Sequence, residues 1–357
     1  MARILYGVQG DANGHISRAL AAAELFSGHE WLFAGGGAAA QARDAGHAYE
    51  ALPMIATEVR GNRVRILPSL LNMGRVIAGR DAWVRKVGEI IRSFDPDLIL
   101  IDYEYFIPRA ANALGRHWFS LDHLHMIVRS QAPRIAGQTP ARLMMTTAMR
   151  VYMPAPERCL LVSFHAQPLL YPLRDELFAP LPRSDAVSAG VASAGHDPGG
   201  HALVYLPGCD LGAIIASFGS RRREFKIYGH GARPASGNLS FRPAGRESFL
   251  EDLASCAYVV SYGGHGLLSE ALFLGKPCLC LPLRFQYEQH WNAYFVQQNG
   301  YGRYLPSFDI PPRALDAFEH SLEDCSRRIT AGNFDGRQRL RQRLGALLGD
   351  TANAVAC

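Results

Sequence analysis

Apolar residues along the chain follow two kinds of spacing. Short, nearly unbroken runs predict strands covered on both faces: RILYGV (3–8), EWLFA (30–34), DLILID (97–102), HWFSL (117–121) and CLLVSF (159–164). Between several of them the apolar positions recur at helical intervals, as at Ile16, Ala19, Leu20 and Ala23. The second half repeats the pattern with ALVYL (202–206), EFKIY (224–228), LSFRP (239–243), AYVVSY (257–262) and PCLCLP (277–282). Helices are expected there near 210–217, 247–255, 265–274 and 287–298. Alternation of this kind predicts α/β architecture with parallel sheets. Residues 166–200 are dense in Pro, Gly, Ala and Ser and weak in periodicity, which predicts a hinge. The expectation is two doubly wound domains, 1–165 and 201–334, facing a cleft, with ligands outside the carboxyl ends of the strands.

Composition narrows the class without naming a chemistry. The 357 residues suit two domains, and 48% hydrophobic with 19% charged residues is globular usage. No apolar run approaches the roughly 18 residues of a membrane-spanning helix. The opening MARILYGV reads as a strand and lacks the regions of a secretion signal. The seven cysteines include no CxxC pair, and Cys278 and Cys280 alternate along one expected strand, which favours buried thiols in a reducing cytoplasm. A formal charge of +5 permits anionic partners without requiring them.

The densest chemistry lies in SYGGHGLLSEALFLGKPCLCLPLRFQYEQHWNA, residues 261–293. Gly263, Gly264 and Gly266 bracket a strand-to-helix turn at His265. They fit either a tight turn or a phosphate approaching bare amides at a helix start. Glu270, one turn into the helix, favours the phosphate, because a carboxylate there can accept ribose hydroxyls. Gly275 closes that helix and Lys276-Pro277 leads into the next strand. Glu288 and Gln289 then open a helix beyond that strand's carboxyl end, where two polar groups suit the hydroxyls of a sugar. The stretch reads as a nucleotide-sugar site.

GGHGLLSEALFLGKPCLCLP followed by FQYEQHWNA resembles the donor signature of GT-B fold glycosyltransferases of family 28, the MurG-like group, and most of all an uncharacterised branch of it. The resemblance is strong over 255–302 and fair over 1–20 and 95–125. It implies an inverting, metal-independent transfer of a hexose or N-acetylhexosamine from a nucleotide diphosphate sugar, UDP-linked, to an acceptor hydroxyl. It places Glu270 on ribose, Glu288 and Gln289 on the donor sugar, and Phe241–Arg242 near the base. The family's Gln-Gln is Glu-Gln here, which leaves the donor sugar open. No cofactor beyond the donor is implied, and the helix 335–357 is expected to pack back on the first domain.

In the first half, Gly7, Gly10 and Gly14 do not fit a dinucleotide fingerprint. His15 stands at a helix start facing the cleft, either as a structural hydrogen-bonding residue or as a general base for the acceptor hydroxyl; the family's GxGH favours the base. Asn13, Gly14 and Arg18 share that turn and are expected near acceptor or phosphate. Asp102 and Glu104 follow one apolar run, as base or base-orienter. Asp122, His123 and His125 follow another, as acceptor or phosphate contacts. Asp95-Pro96-Asp97 mimics a metal-binding DxD but precedes its strand, at the wrong end of the sheet, and no metal site is expected.

The acceptor is less legible. Arg60, Arg63, Arg65, Arg75, Arg80 and Arg85 lie among apolar residues, and Arg129, Arg134, Arg142 and Arg150 flank LMM and VYM. They are either the solvated faces of packed helices or a surface for anionic lipid and a lipid-linked acceptor at the inner membrane face. A nucleic-acid acceptor is disfavoured because no aromatic residues interleave with the arginines. Two rival functions stay open: a GT-B epimerase or hydrolase acting on a UDP-sugar without an acceptor, and a non-catalytic nucleotide-sugar-binding protein.

Overall fold

The computed structural model describes residues 1–357 apart from 57, 58, 61, 62, 65, 132, 193–198, 309, 356 and 357. The first half runs β1 (Arg3–Val8), α1 (Asn13–Glu24), β2 (Glu30–Gly35), α2 (Gln41–Asp44), β3 (Ala48–Ala51), β4 (Val59–Arg60) and β5 (Arg63–Val64). It continues with α3 (Ile66–Ala78), α4 (Arg80–Phe94), β6 (Leu98–Asp102), α5 (Ile107–Ala113), β7 (Phe119–Asp122) and α6 (Met126–Arg129). Then come α7 (Thr139–Tyr152), β8 (Arg158–Val162), β9 (Glu176–Phe178) and α8 (Ser184–Ala192). The second half opens with β10 (Ala202–Tyr205), α9 (Leu211–Phe218), β11 (Phe225–Tyr228), β12 (Arg233–Ser236), β13 (Leu239–Phe241) and α10 (Arg246–Ser255). It ends with β14 (Tyr258–Ser261), α11 (His265–Phe273), β15 (Cys278–Cys280), α12 (Tyr287–Gln298), β16 (Gly302–Tyr304), α13 (Pro312–His320), α14 (Leu322–Thr330) and α15 (Arg337–Val355).

Two seven-stranded sheets organise these elements, in the orders β3-β2-β1-β6-β7-β8-β9 and β12-β13-β11-β10-β14-β15-β16. Every pairing in the first sheet is parallel, and in the second only β12–β13 is antiparallel. In each sheet the strand order reverses once, between β1 and β6 and between β10 and β14. Reversal splays the flanking connections to opposite faces and opens a crevice at the carboxyl ends. The residues after Val8, Asp102 and Ser261 therefore share a rim position.

The central strands are apolar on both faces because helices cover both. Tyr6, Phe33 and Leu100 pack with Ile16 and Leu20 of α1 and with Leu340 and Leu344 of α15, which lies against α1. Val87 and Ile91 of α4 cover the opposite face over Leu5, Ile99 and Ile101. One apolar cluster of the second half reaches across to Ile127, Ile135, Ala141 and Phe164 of the first.

Residues 166–200 are more ordered than their composition predicts. β9 pairs with β8 and completes the first sheet, so that sheet runs past 165, and α8 packs on α10. A three-residue strand followed by prolines is too short to show a period, and the small side chains of α8 give little contrast between its faces. Cys159, Cys209, Cys256, Cys278, Cys280 and Cys325 are free and buried.

Candidate active site

The two crevices meet where α1 and α11 present their first turns to each other. A Cβ on Gly266 would lie 2.6 Å from Gly14 Cα, so the contact is backbone against backbone. Gly263 takes φ +90°, and a Cβ there would stand 3.0 Å from the Gln289 carbonyl oxygen. Gly264 leads α11 in an extended conformation, and neither Ala12 before α1 nor Gly264 before α11 has a side chain that could cap its helix. The positive ends of two helices thus converge on one crevice, an arrangement suited to an anion.

His15 and Asp102 form the pair nearest that meeting point. His15 Nδ1 is 2.7 Å from Asp102 Oδ1, and Asp102 is fully buried at the end of β6. A carboxylate accepts, so Nδ1 carries the hydrogen and Nε2 of the neutral ring is an acceptor. Arg18, one turn along α1, donates from Nε (2.8 Å) and Nη2 (2.7 Å) to Asp102 Oδ2. Its Nη1 is 3.3 Å from His265 Nδ1. Burial opposes the imidazolium of His15, but the adjoining Asp102 carboxylate outweighs it and raises the His15 pKa above its ordinary value. Arg18 is thus turned to Asp102 and His265, while Asn13 Oδ1 accepts from Gln41 Nε2 at 2.9 Å.

Glu104 does not join this pair. Its two oxygens accept from the Phe106 (2.9 Å) and Ile107 (2.7 Å) amides, which fixes the turn into α5. Burial pushes its carboxyl up to about 7 against the pull of those donors. Both oxygens thus hold backbone, and the residue is 3% exposed.

Asp122, His123 and His125, expected at acceptor or phosphate, are buried and held by protein partners. Asp122 accepts from the His125 amide (2.9 Å), lies 2.6 Å from His125 Nδ1 and accepts from Ser120. Burial opposes its charge, yet these partners hold its carboxyl well below the usual range. His123 lies 2.9 Å from the Val162 carbonyl and 2.8 Å from Asn292 Oδ1, and the neutral ring donates to one of these two oxygens. Its ring stacks on that of His265. The polar run after β7 is therefore packed interior between the halves.

On the second half, Glu270 is held at three points. Arg246 donates from Nη1 to Oε2 (3.0 Å) and from Nη2 to Oε1 (2.8 Å), and Ser17 Oγ donates to Oε1 at 3.2 Å. Asp185 of α8 grips the same guanidinium through Nε and Nη2, both at 3.0 Å. Glu288 is partly buried, 3.4 Å from Asn292 Nδ2, and Gln289 Oε1 accepts from the Leu283 amide at 2.9 Å. Phe241 is buried in the core, and Arg242 Nε donates to Asp252 Oδ2 at 3.0 Å on the rim beyond β13. The sequence pattern carries no signal for Arg246, Asp185 or Ser17 at the site, and Asn292 is marked only by its place within 261–293.

Among the described residues no group of three or more His, Cys, Asp or Glu is placed to hold a metal ion, and no helix is long and apolar enough to cross a membrane. Of the basic run after β3, Arg65 and the side chains of Arg60 and Arg63 lie outside the described residues. Arg75, Arg80 and Arg85 are exposed.

A family model described as glycosyl transferase family 1 matches residues 2–323. An uncharacterised glycosyltransferase of Methanosarcina acetivorans is 32% identical over 120 residues, 30% of this chain and 31% of that protein. The aligned stretch spans less than a third of the length of the curated relatives it matches. Among solved structures, the glycosyltransferase SnogD from Streptomyces nogalater superposes with a TM-score of 0.59 at 15% identity, over 97% of this chain and 99% of that one. The calicheamicin glycosyltransferase CalG4 gives 0.61 at 15% identity, over 99% of each chain. The two facing sheets are the GT-B fold of these neighbours.

Proposed function

The chain belongs to glycosyl transferase family 1, and from that premise we propose that it transfers a sugar from a nucleotide diphosphate donor to a hydroxyl, with His15 as general base and inversion at the anomeric carbon. The observation that carries this reading is the 2.7 Å contact between His15 Nδ1 and buried Asp102, made where two helix starts meet.

The donor diphosphate lies at the α11 start, on the amides after Gly263 and Gly264. Glu270, oriented by Arg246, accepts the ribose hydroxyls, and Glu288 with Gln289 faces the sugar. The acceptor oxygen gives its proton to His15 Nε2 as it bonds to the anomeric carbon. The bond from that carbon to the diphosphate oxygen breaks on the opposite face, through an oxocarbenium-like state. Asp102 steadies the imidazolium that forms, and the α11 amides take up the charge of the leaving diphosphate. No step requires a metal ion. The resemblance of 255–302 to the family 28 signature supports a UDP-linked hexose or N-acetylhexosamine.

A lipid-linked acceptor is supported by Leu67 and Leu71 of α3 and by Leu143, Met144 and Val151 of α7. All five are exposed, as are Arg75, Arg80 and Arg150 of the same helices and α4.

Thermal shift and calorimetry with UDP, TDP, GDP and their sugars test the donor assignment. UDP-sugar is expected to stabilise the fold most, and a chain that binds none of them is not this transferase. Sugar product formed without an acceptor would instead mark a hydrolase or epimerase.

A further inference from the structure

A second pocket between the halves lies apart from the His15 crevice. It has a volume of about 250 Å³ and is lined by Arg134, Ile135, Gln138, Thr139, Arg142 and Tyr287. Five of these come from the loop into α7 and its first turn; Tyr287 is the first residue of α12.

Three features make its chemistry one-sided. Neither Arg134 nor Arg142 has a carboxylate partner among the described residues, and no acidic side chain lines the pocket. The Tyr287 hydroxyl is buried in a residue only 1% exposed and has no hydrogen-bond partner. Burial raises its pKa while the charge of Arg142 acts to lower it, which places that charge near the ring. Finally, α7 and α12 both begin at this pocket, and no side chain caps either start. A buried hydroxyl without a partner is destabilising, and an arriving acceptor relieves that cost. Two free guanidinium groups and two positive helix ends specify a negatively charged acceptor.

We propose that this pocket binds an oxyanion, a phosphate or carboxylate group, held by Arg134 and Arg142 from one half and by the Tyr287 hydroxyl from the other. The pocket is below the roughly 300–1,000 Å³ of typical ligand sites, so it suits one group and not a whole nucleotide. Its open side admits either a free anion or the charged group of a larger acceptor. Because its ligands come from both halves, occupancy favours their present arrangement.

Titration calorimetry of the full chain with inorganic phosphate, with and without saturating UDP, tests this apart from the transferase reading. Saturable phosphate binding is expected in both conditions, about tenfold weaker in Arg142→Gln and weaker still in Arg134→Gln/Arg142→Gln. Tyr287→Phe is expected to weaken it about three- to tenfold, with a melting temperature in phosphate-free buffer at or above that of the wild type, since the unpartnered hydroxyl is gone. Glycerol phosphate and acetate separate the sources: a monoester bound as well as phosphate points to a group on the acceptor, and its exclusion points to a free anion. Absence of saturable binding in the millimolar range, or binding that the arginine and Tyr287 variants leave unchanged, overturns the proposal. Loss of UDP binding alone would overturn the donor assignment and leave this site standing.

Discussion

His123 and His265 stack across the two halves of the molecule, with ring centroids 3.7 Å apart and planes 19° from parallel. Burial lowers the pKa of both rings, and for His265 the neighbouring His123 and Arg18 lower it further. An imidazole kept neutral when folded but free to protonate near pH 6.5 when unfolded contributes stability present above about that pH. The contribution is lost as pH falls through the lower folded value. His15 acts in the opposite sense: its raised pKa contributes stability present below about 6.5 and lost as pH rises through its folded value. The melting temperature of His265→Asn is therefore expected to fall less than that of the wild type between about pH 7 and pH 5. Parallel melting profiles would show that the stack is not held neutral.

The contact between Gly14 and Gly266 leaves no room for a side chain. Gly266→Ala places a methyl group 2.6 Å from backbone, where no rotamer relieves it, so α1 and α11 must separate. Overpacking of this kind costs about 1–3 kcal/mol. Donor affinity is expected to fall by at least an order of magnitude. Gly264→Ala is the stability control, since a Cβ there meets nothing within 4 Å, and it should melt like the wild type. Calorimetry and thermal unfolding of the pair check both statements.

Glu270→Ala removes the carboxylate assigned to the ribose and leaves Arg246 with Asp185 alone. UDP binding is expected to weaken by about 1.5–3 kcal/mol, the range for a hydrogen bond to a charged group. Asp185→Asn keeps the Arg246–Glu270 contacts and should cost less. Unchanged UDP affinity in Glu270→Ala would remove the ribose assignment.

Glu104 provides a contrast within the rim. Its oxygens hold the Phe106 and Ile107 amides, so Glu104→Ala is expected to lower stability by about 0.5–2 kcal/mol, as loss of a helix cap does. Its kcat should stay close to that of the wild type at a temperature where both are folded. A large fall in kcat with unchanged stability would return Glu104 to the chemistry.

The rim positions of His15, Asp102, Glu270 and Glu288 were legible because each follows a run or opens a helix whose period is visible in sequence. What each touches was not. Arg18 is one turn from His15, but its partner Asp102 lies 84 residues away, and Arg246 is 61 residues from Asp185. Periodicity reports the face of an element and not its pairing with a distant one. For the same reason the inward partners of Asp122, His123 and His125 are not visible in the sequence. Their burial depends on how the halves close, through His265 and Asn292. Likewise β9 and α8 lie in a stretch whose prolines and small residues mask a short edge strand.

Turnover by His15→Gln, measured beside the wild type as UDP release from a UDP-sugar supplied with an acceptor extract, is the most direct test of the dyad. Loss of a general base slows the chemical step by about 10²–10⁴-fold, and donor affinity should be unchanged because the donor is held by the second half. In the wild type, activity should rise with pH to a midpoint above about 6.5, since His15 must be neutral to accept a proton and Asp102 raises its pKa. Asp102→Asn should move that midpoint down and reduce the plateau. Wild-type turnover in His15→Gln, or a midpoint that ignores Asp102→Asn, would contradict His15 as the base.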